Sequence, residues 1–171
     1  MAEPQRPSRQ HPSRQHPSRE SRGAVILLIE DNPDDEELTV MALRDVGVVN
    51  EIMVAHDGAE ALELLTPRSE TGEDRARPLP DLVLLDLRLP KVSGLEVLRQ
   101  LRAQPRTRLL PVVVLTTSRL EEDIVASYEL GANSFVRKPV DFDRFTEAVR
   151  QLGLYWLLIN EAPPPPSRTG R

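Results

Sequence analysis

The chain has 171 residues, 39% of them hydrophobic and 29% charged, which suits one ordinary globular core with tails. It contains no cysteine, and this excludes disulfide scaffolds, zinc fingers and thiolate metal sites. The formal net charge is −5, and arginines in both termini leave the intervening chain more acidic still, so no direct nucleic-acid partner is expected.

The amino-terminal end differs in composition from the rest of the chain. Residues 1–22 contain the pentapeptide Pro-Ser-Arg-Gln-His twice in tandem and are predicted to form a disordered basic tail. A basic arm for a polyanion and a histidine metal clip are the alternatives, although the histidine spacing matches no established ligand pattern.

After this tail, short apolar segments alternate with longer segments of helical period. Apolar runs of this kind are typical of strands covered on both faces, as in a parallel sheet. The predicted strands are residues 24–29, 52–55, 82–85, 112–115 and 134–136. The predicted helices are residues 33–47, 57–66, 93–103, 120–130 and a last one from 141. Five such units with right-handed crossovers predict an α/β fold with a doubly wound parallel sheet, whereas residues 66–80 form a charged loop without an assignment.

Polar and charged residues stand where four of the five predicted strands end. Glu30 and Asp31 follow the first strand and Asp86 follows the third. Thr116 follows the fourth strand and Lys138 the fifth. In doubly wound sheets, ligands bind beyond the carboxyl ends of the strands. With strand order 2-1-3-4-5, the first and third strands are neighbours about 4.8 Å apart, so Asp31 and Asp86 converge.

Two converging carboxylates need a cation between them. Mg²⁺ prefers sites with one or two carboxylates and room for water and phosphate oxygens. Phosphoryl transfer to an aspartate then gives each residue a role, in which Asp86 attacks phosphorus while the metal, Lys138 and the Thr116 hydroxyl bind the phosphoryl oxygens. Only two of the 22 basic residues are lysines, which favours a function for the compact ammonium of Lys138.

Each of these residues also has a purely structural interpretation. Asp31 can cap the first helix, and the acidic residues 34–37 can do no more than favour its dipole. Asp86 can be a turn residue, Thr116 a good β former and Lys138 a surface charge. Independent structural roles, however, give no reason for all of them to stand at strand ends on one side of the sheet.

A set of motifs resembles the response-regulator receiver family over residues 24–151. It comprises Glu30-Asp31, Asp86 with Pro90 and Gly94 after it, the run 112–116, Gly131-Ala132, and Phe135 before Lys138-Pro139. The resemblance implies a flavodoxin-like (βα)5 three-layer sandwich. It also implies that Asp86 accepts a phosphoryl group from a phosphohistidine on a sensor kinase.

The resemblance further implies how the metal is held. Asp31 would ligate Mg²⁺ directly, with Mn²⁺ as a substitute, beside Asp86 itself. Glu30 would bind through water, and the Arg88 backbone carbonyl would complete the ligands from the protein. Glu30 stands where the family usually has Asp, and Arg88 stands at a variable position that influences the phosphoryl lifetime.

Three more residues have roles implied by the resemblance. The peptide between Lys138 and Pro139 is expected to be cis, which would direct the ammonium inward. Thr116 and Phe135 would form the switch, in which the hydroxyl moves toward the phosphoryl group and the aromatic ring swings inward. This motion would remodel the surface of the fourth helix, the fifth strand and the fifth helix.

The last predicted helix is apolar on more than one side and is interrupted by Gly153. The segment 155–161 is similar to the carboxyl-terminal extension of small stand-alone receivers that are paired with bacterial phytochrome kinases and dimerise through it. We therefore expect a phytochrome-type sensor histidine kinase as partner and a homodimer through this helix. The expected dimer contacts are Phe145, Leu152, Tyr155, Trp156 and Ile159.

The carboxyl-terminal end, residues 162–171, is rich in proline and predicts a polyproline II tail. The domain thus comprises residues 23–161. No apolar run approaches the roughly 20 residues that cross a bilayer, and residues 1–22 lack the apolar stretch of a secretory signal. We expect a cytoplasmic protein with no membrane contact.

Two other functions stay open at this level. A haloacid-dehalogenase-type phosphatase also uses an aspartyl nucleophile after an apolar strand, but it needs a second carboxylate where this chain has Arg88. A docking module without phosphorylation chemistry is opposed by the complete set of strand-end residues. Because no output domain is predicted after the fifth helix, we expect output through a protein surface, and no catalysis beyond the protein's own phosphorylation and dephosphorylation.

Overall fold

Five strands form the central sheet: β1 (Ala24–Ile29), β2 (Val49–Ala55), β3 (Leu82–Leu85), β4 (Val112–Thr116) and β5 (Ser134–Arg137). All neighbouring pairs are parallel, and the order is β2-β1-β3-β4-β5. The computed structural model describes residues 23–47, 49–65 and 78–161. Both predicted tails and most of the unassigned loop lie outside these ranges.

The helices cover both faces of the sheet. They are α1 (Pro33–Asp45), α2 (Gly58–Leu65), α3 (Gly94–Ala103), α4 (Glu121–Glu129) and α5 (Phe142–Leu154), followed by a π-helical turn at Tyr155–Ile159. α1 and α5 pack on one face, α2 and α3 pack on the other, and α4 contacts α3 and β5. The predicted doubly wound fold is confirmed. Among the described residues, no helix has the length and apolar character needed to span a membrane.

The central strands are buried on both faces, which explains their apolar sequence. Alternate side chains of β1, β3 and β4 point toward α1 and α5, namely Ile26, Leu28, Leu82, Leu84, Val113 and Leu115. The intervening side chains point toward α2 and α3, namely Leu27, Ile29, Val83, Leu85, Val112 and Val114. Each such side chain contributes about 1.5–3 kcal/mol on burial. This core holds the strand ends in place.

The helix cap at the start of α1 is formed by Asn32 and not by an acidic residue. The Asn32 side chain caps the helix by accepting hydrogen bonds from the backbone N–H groups of Asp34 and Asp35, at 2.9 and 3.2 Å. Pro33 follows at the first helical position, where it fits well. Asp31 is therefore not the cap, and the structural interpretation of that residue is wrong.

Two elements differ from the sequence prediction. β2 begins at Val49, earlier than predicted. The prediction missed this start because polar Glu51 interrupts the apolar run, as is common in a strand at the edge of a sheet. α5 passes through Gly153 without a break. A Cβ atom there would stand 3.2 Å from Val46 Cγ2 and 3.3 Å from Leu43 Cδ2. The glycine thus allows α5 to approach α1 closely.

Candidate functional site

The carboxyl edge of the sheet brings together the five residues predicted at the strand ends. Glu30 is 1% exposed, Asp86 6%, Thr116 0% and Lys138 6%, whereas Asp31 is exposed. Four buried polar side chains at one edge are costly unless they are hydrogen-bonded to one another or to a ligand. Their mutual contacts therefore define the site.

Three carboxylates form an acidic cluster at this edge. One oxygen each of Glu30, Asp31 and Asp86 lies within 4.8 Å of the others. Hard oxygen donors of this kind are the ligands that Mg²⁺ and Mn²⁺ prefer. The donor set and its negative charge fit a divalent cation.

The Lys138 ammonium lies between carboxylates from three parts of the chain. Its Nζ is 2.5 Å from Glu30 Oε2, 2.8 Å from Asp35 Oδ2 and 2.9 Å from Asp86 Oδ2. The Lys138 backbone N–H also donates to the Thr116 carbonyl at 2.8 Å, which anchors the residue to β4. All three N–H donors of the ammonium are thus engaged.

Asp86 is held through both of its carboxylate oxygens. Oδ1 accepts hydrogen bonds from the Thr116 hydroxyl at 2.7 Å and from the Arg88 backbone N–H at 3.1 Å. Oδ2 accepts from Lys138. A buried carboxylate with three donors is fixed in orientation.

Burial and these contacts shift the pKa values of the site residues in different directions. Burial raises the pKa of Glu30 to about 7, although Lys138 acts against this shift. Burial would also raise the pKa of Asp86, but the charge and hydrogen bond of Lys138 hold it below the usual value, with help from Arg88 and Thr116. Burial would lower the pKa of Lys138, but Asp86, Asp35 and Glu30 together raise it. Asp86 is consequently ionised at neutral pH beside a charged ammonium.

One functional contact was missed by the sequence analysis. Asp35 was assigned to the helix dipole alone, yet its carboxylate binds Lys138. The available signal was its position in the first turn of α1, four residues after Asp31. Lys138 could not be identified as its partner in this way, because the two residues are 103 positions apart in the chain.

The expected cis peptide between Lys138 and Pro139 is wrong for this structure, since no peptide bond within the described ranges is cis. The trans form is the more stable one for an X-Pro bond. Here the Lys138 side chain reaches all three carboxylates with the trans bond. A cis bond is therefore not needed to direct the ammonium inward.

The expected dimer residues divide into two groups. Phe145 is buried in the core beneath α1, so its assignment to an interface is wrong. Leu152 and Trp156 are partly buried and pack against the same core. Tyr155 and Ile159 are 50% and 70% exposed and remain available to a partner.

The switch residues lie on the two strands at one side of Asp86. The Thr116 hydroxyl already contacts the carboxylate. Phe135 is partly buried and packs on the core between the sheet, α2 and α3. It pairs with Val114, two residues before Thr116. The movement of either residue stays a prediction.

A profile of the response regulator receiver domain matches residues 26–150. The chain belongs to the response regulator receiver family. It is thus a receiver of a two-component phosphorelay, in a family that binds Mg²⁺.

Two curated relatives cover most of this response regulator. The probable methanogenesis regulatory protein FilR2 of Methanothrix harundinacea is 41% identical over 82% of this chain and 88% of its own. Response regulator Rcp1 of Synechocystis sp. is 38% identical over 78% of this chain and 88% of its own. Stand-alone receivers are therefore among its relatives.

Two solved structures are similar over nearly their full length. Phosphorylated RcpA, a cyanobacterial phytochrome response regulator, has a TM-score of 0.76 and 36% identity, covering 83% of this chain and 99% of that chain. The Mn²⁺-bound form of Rcp1 has a TM-score of 0.74 and 37% identity, covering 82% and 99%. The predicted family, fold and class of metal are confirmed, while the roles of individual side chains stay predictions.

Proposed function

We propose that this response regulator accepts a phosphoryl group on Asp86 from a phytochrome-type sensor histidine kinase. The observation that carries the proposal is the environment of Asp86, whose ionised carboxylate lies beside an acidic cluster and is oriented by Thr116 and Lys138. The likeness to phosphorylated RcpA supports the type of kinase.

Asp31 and Asp86 are the residues best suited to hold Mg²⁺ directly. Both oxygens of Glu30 already accept hydrogen bonds, from the Asn32 N–H at 3.2 Å and from Lys138 at 2.5 Å, which favours a contact through water. The Arg88 carbonyl is the remaining proposed ligand. When bound, a divalent ion would supply positive charge to the phosphoryl oxygens.

The transfer is an in-line displacement at phosphorus. An oxygen of Asp86 forms the new bond to phosphorus, while the bond from phosphorus to the histidine nitrogen breaks and its electron pair returns to the imidazole. Lys138 and the Thr116 hydroxyl, which bind the free carboxylate, then donate to the phosphoryl oxygens. The product is an acyl phosphate on Asp86.

The shift of Thr116 toward the phosphoryl group is the proposed start of the switch. Phe135, which is partly buried on the neighbouring strand, would turn inward as the Thr116 side chain moves. Output would pass through the surface of α4, β5 and α5. We infer that the protein turns over no other substrate and acts in the cytoplasm, where sensor kinases present their phosphohistidine.

Incubation with Mg²⁺ and acetyl phosphate, followed by intact mass measurement, tests the phosphoacceptor. We expect a single phosphoryl adduct on the wild type and none on Asp86→Asn. Asp45→Asn, an exposed change at the other end of α1, serves as the matched control and keeps the adduct. An adduct that survives Asp86→Asn, or multiple turnover of the donor without an adduct, would contradict the proposal and favour a phosphatase.

The type of kinase needs its own measurement. Phosphotransfer to this protein is compared between a phosphorylated phytochrome-type kinase and an unrelated sensor kinase at equal concentration. We expect the phytochrome-type kinase to transfer faster. Equal or slower transfer would remove the phytochrome assignment and leave the phosphoacceptor role intact.

We also propose a homodimer through the π-helical turn. Tyr155, Leu158 and Ile159 are apolar side chains with exposures of 50%, 58% and 70%, and they lie together after α5. The Tyr155 and Trp156 rings meet edge to face, with centroids 5.3 Å apart, which is a favourable arrangement for an aromatic pair. An exposed apolar surface of this kind is typical of protein contacts.

The change Ile159→Asp is expected to lower the molecular mass in solution from that of a dimer to that of a monomer, because a charge would be buried at the contact. Leu109→Asp places the same charge at a 54% exposed leucine elsewhere and is the control. Sedimentation equilibrium gives the mass. An unchanged mass for Ile159→Asp would exclude this surface.

A further inference from the structure

The Lys138 ammonium is shared by three carboxylates that differ in exposure. Glu30 is 1% exposed, Asp86 7% and Asp35 28% at the side chain. Asp35 therefore lies at the outer side of the ammonium, between Lys138 and solvent. It lies outside the group of three carboxylates that could hold a metal.

The position of Asp35 is set by the start of α1. Its backbone N–H donates to the Asn32 side chain at 3.2 Å, and it stands in the first turn of the helix. Its Oδ2 is 2.8 Å from Lys138 Nζ, although 103 positions separate the two residues in the chain. The contact thus connects α1 directly to the loop after β5.

This contact opposes the phosphorylated state in two ways. All three N–H donors of the ammonium are engaged, and phosphorylation of Asp86 releases only the one that binds its carboxylate. A second hydrogen bond from Lys138 to the phosphoryl oxygens therefore requires that Glu30 or the more exposed Asp35 releases its donor. The Asp35 and Asp86 carboxylates also contact the same ammonium, so the negative charge that the acyl phosphate adds lies near Asp35, and like charges repel.

We propose that Asp35 is a positioning residue that acts through Lys138 and shortens the lifetime of the phosphoryl group on Asp86. The inference rests on the proposed phosphorylation of Asp86. In the resting state Asp35 binds one of the three N–H donors of the ammonium, while another binds Asp86. In the phosphorylated state it competes with the phosphoryl oxygens for the same donors.

The test compares Asp35→Asn with Asp34→Asn. Asp34 is the preceding residue in the same helical turn, is exposed, and loses the same charge from the same end of α1. Each protein is phosphorylated with acetyl phosphate at saturating Mg²⁺, the donor is removed, and the decay of the adduct is followed by intact mass. We expect the adduct on Asp35→Asn to last about threefold to tenfold longer than on the wild type, as for loss of one charge contact.

Two further variants and a stability measurement separate positioning from damage. The adduct on Asp34→Asn is expected to decay at the wild-type rate. Asp35→Glu keeps the charge, and the decay rate of its adduct is expected to be close to that of wild type. Urea unfolding is expected to give similar midpoints for Asp35→Asn and Asp34→Asn. A lower midpoint for Asp35→Asn alone would indicate a general structural defect and not a positioning role.

Three results would overturn the inference. If wild type is phosphorylated but Asp35→Asn decays like Asp34→Asn, the role of Asp35 is wrong and the phosphoacceptor role stands. A shorter lifetime for Asp35→Asn would also exclude the proposed competition. The absence of an adduct on wild type would overturn both proposals together.

Discussion

Among single residues, Gly94 lies where the loop after β3 folds back on the phosphoacceptor strand. A Cβ atom at this position would stand 2.1 Å from the Asp86 carbonyl oxygen and 2.6 Å from Leu87 Cα. The Gly94 N–H also donates to the Leu87 carbonyl at 3.0 Å. Both crowded atoms belong to the backbone and cannot turn away, so only glycine allows this approach.

The change Gly94→Ala is expected to lower the free energy of unfolding by about 1–3 kcal/mol, the usual cost of overpacking. Phosphorylation is expected to slow as well, because the displaced loop carries the Arg88 N–H that orients Asp86. Urea unfolding and the acetyl phosphate reaction measure the two effects.

Gly47→Ala provides the comparison for this prediction. Gly47 has φ +74°, and a Cβ atom added there would have nothing within 4 Å, so alanine meets only backbone strain of about 1–2 kcal/mol. Phosphorylation of Gly47→Ala is expected to proceed at the wild-type rate. A Gly94→Ala protein that also reacts at that rate would show that the loop tolerates displacement.

Between elements of the fold, an ion pair connects the loop after β2 to the loop after β3. Lys91 Nζ is 2.5 Å from Asp57 Oδ2, and Asp57 Oδ1 accepts from the Glu60 N–H at 2.9 Å, at the start of α2. Lys91 has a φ of 61°, in the left-handed region that non-glycine residues rarely adopt. The hydrogen bond from Lys91 lowers the pKa of Asp57 below its usual value of 3.8.

A lowered pKa in the folded state means that the folded protein binds fewer protons than the unfolded chain. The stability from this pair is therefore present above pH 3.8 and is lost as the pH falls below it. We expect Lys91→Met to be less stable than wild type at pH 7 and to lose less stability on acidification. Urea unfolding from pH 7 to pH 3 measures the difference.

The control for this pH dependence is Arg119→Met, which removes one positive charge from an exposed residue after β4. Its decline with acid is expected to follow that of wild type. If the difference between Lys91→Met and wild type were constant over the pH range, the pair would not be the source of the acid dependence.

In the molecule as a whole, the acidic cluster exists only in the folded chain. Asp31 and Asp86 are 55 positions apart in sequence and meet because β1 and β3 are neighbours. An unfolded chain cannot place these carboxylates within 4.8 Å of Glu30 and of one another. Binding of a divalent ion is thus coupled to folding.

We expect Mg²⁺ to stabilise the wild type by about 2.7 kcal/mol at a concentration of one hundred times its Kd. The change Asp31→Asn is expected to abolish most of this gain, because it removes the exposed ligand from the cluster. Thermal unfolding with and without Mg²⁺ measures both proteins. Asp34→Asn, with the same loss of charge outside the cluster, should retain the gain, and equal gains for both variants would exclude Asp31 as a ligand.

Much of the fold and the main site could be predicted because the evidence is local. Apolar runs without polar interruption indicate buried parallel strands, and polar residues at their ends indicate a site at one edge. Glu30, Asp86 and Lys138 were found in this way. The start of β2 was not, since an edge strand carries polar residues and resembles a loop.

Residue types and their spacing along the chain were sufficient to predict alternating strands and helices and a site at the strand ends. The resemblance carried by these residues implied the family and the order of the strands, and Asp86 as phosphoacceptor stays a prediction. The three-dimensional packing was needed to learn that Asp35 shares Lys138, that Phe145 belongs to the core, and that the peptide before Pro139 is trans. The physical reason is that these properties depend on how α1, α5 and the loop after β5 pack together. Contacts between distant elements leave no periodic pattern in either segment.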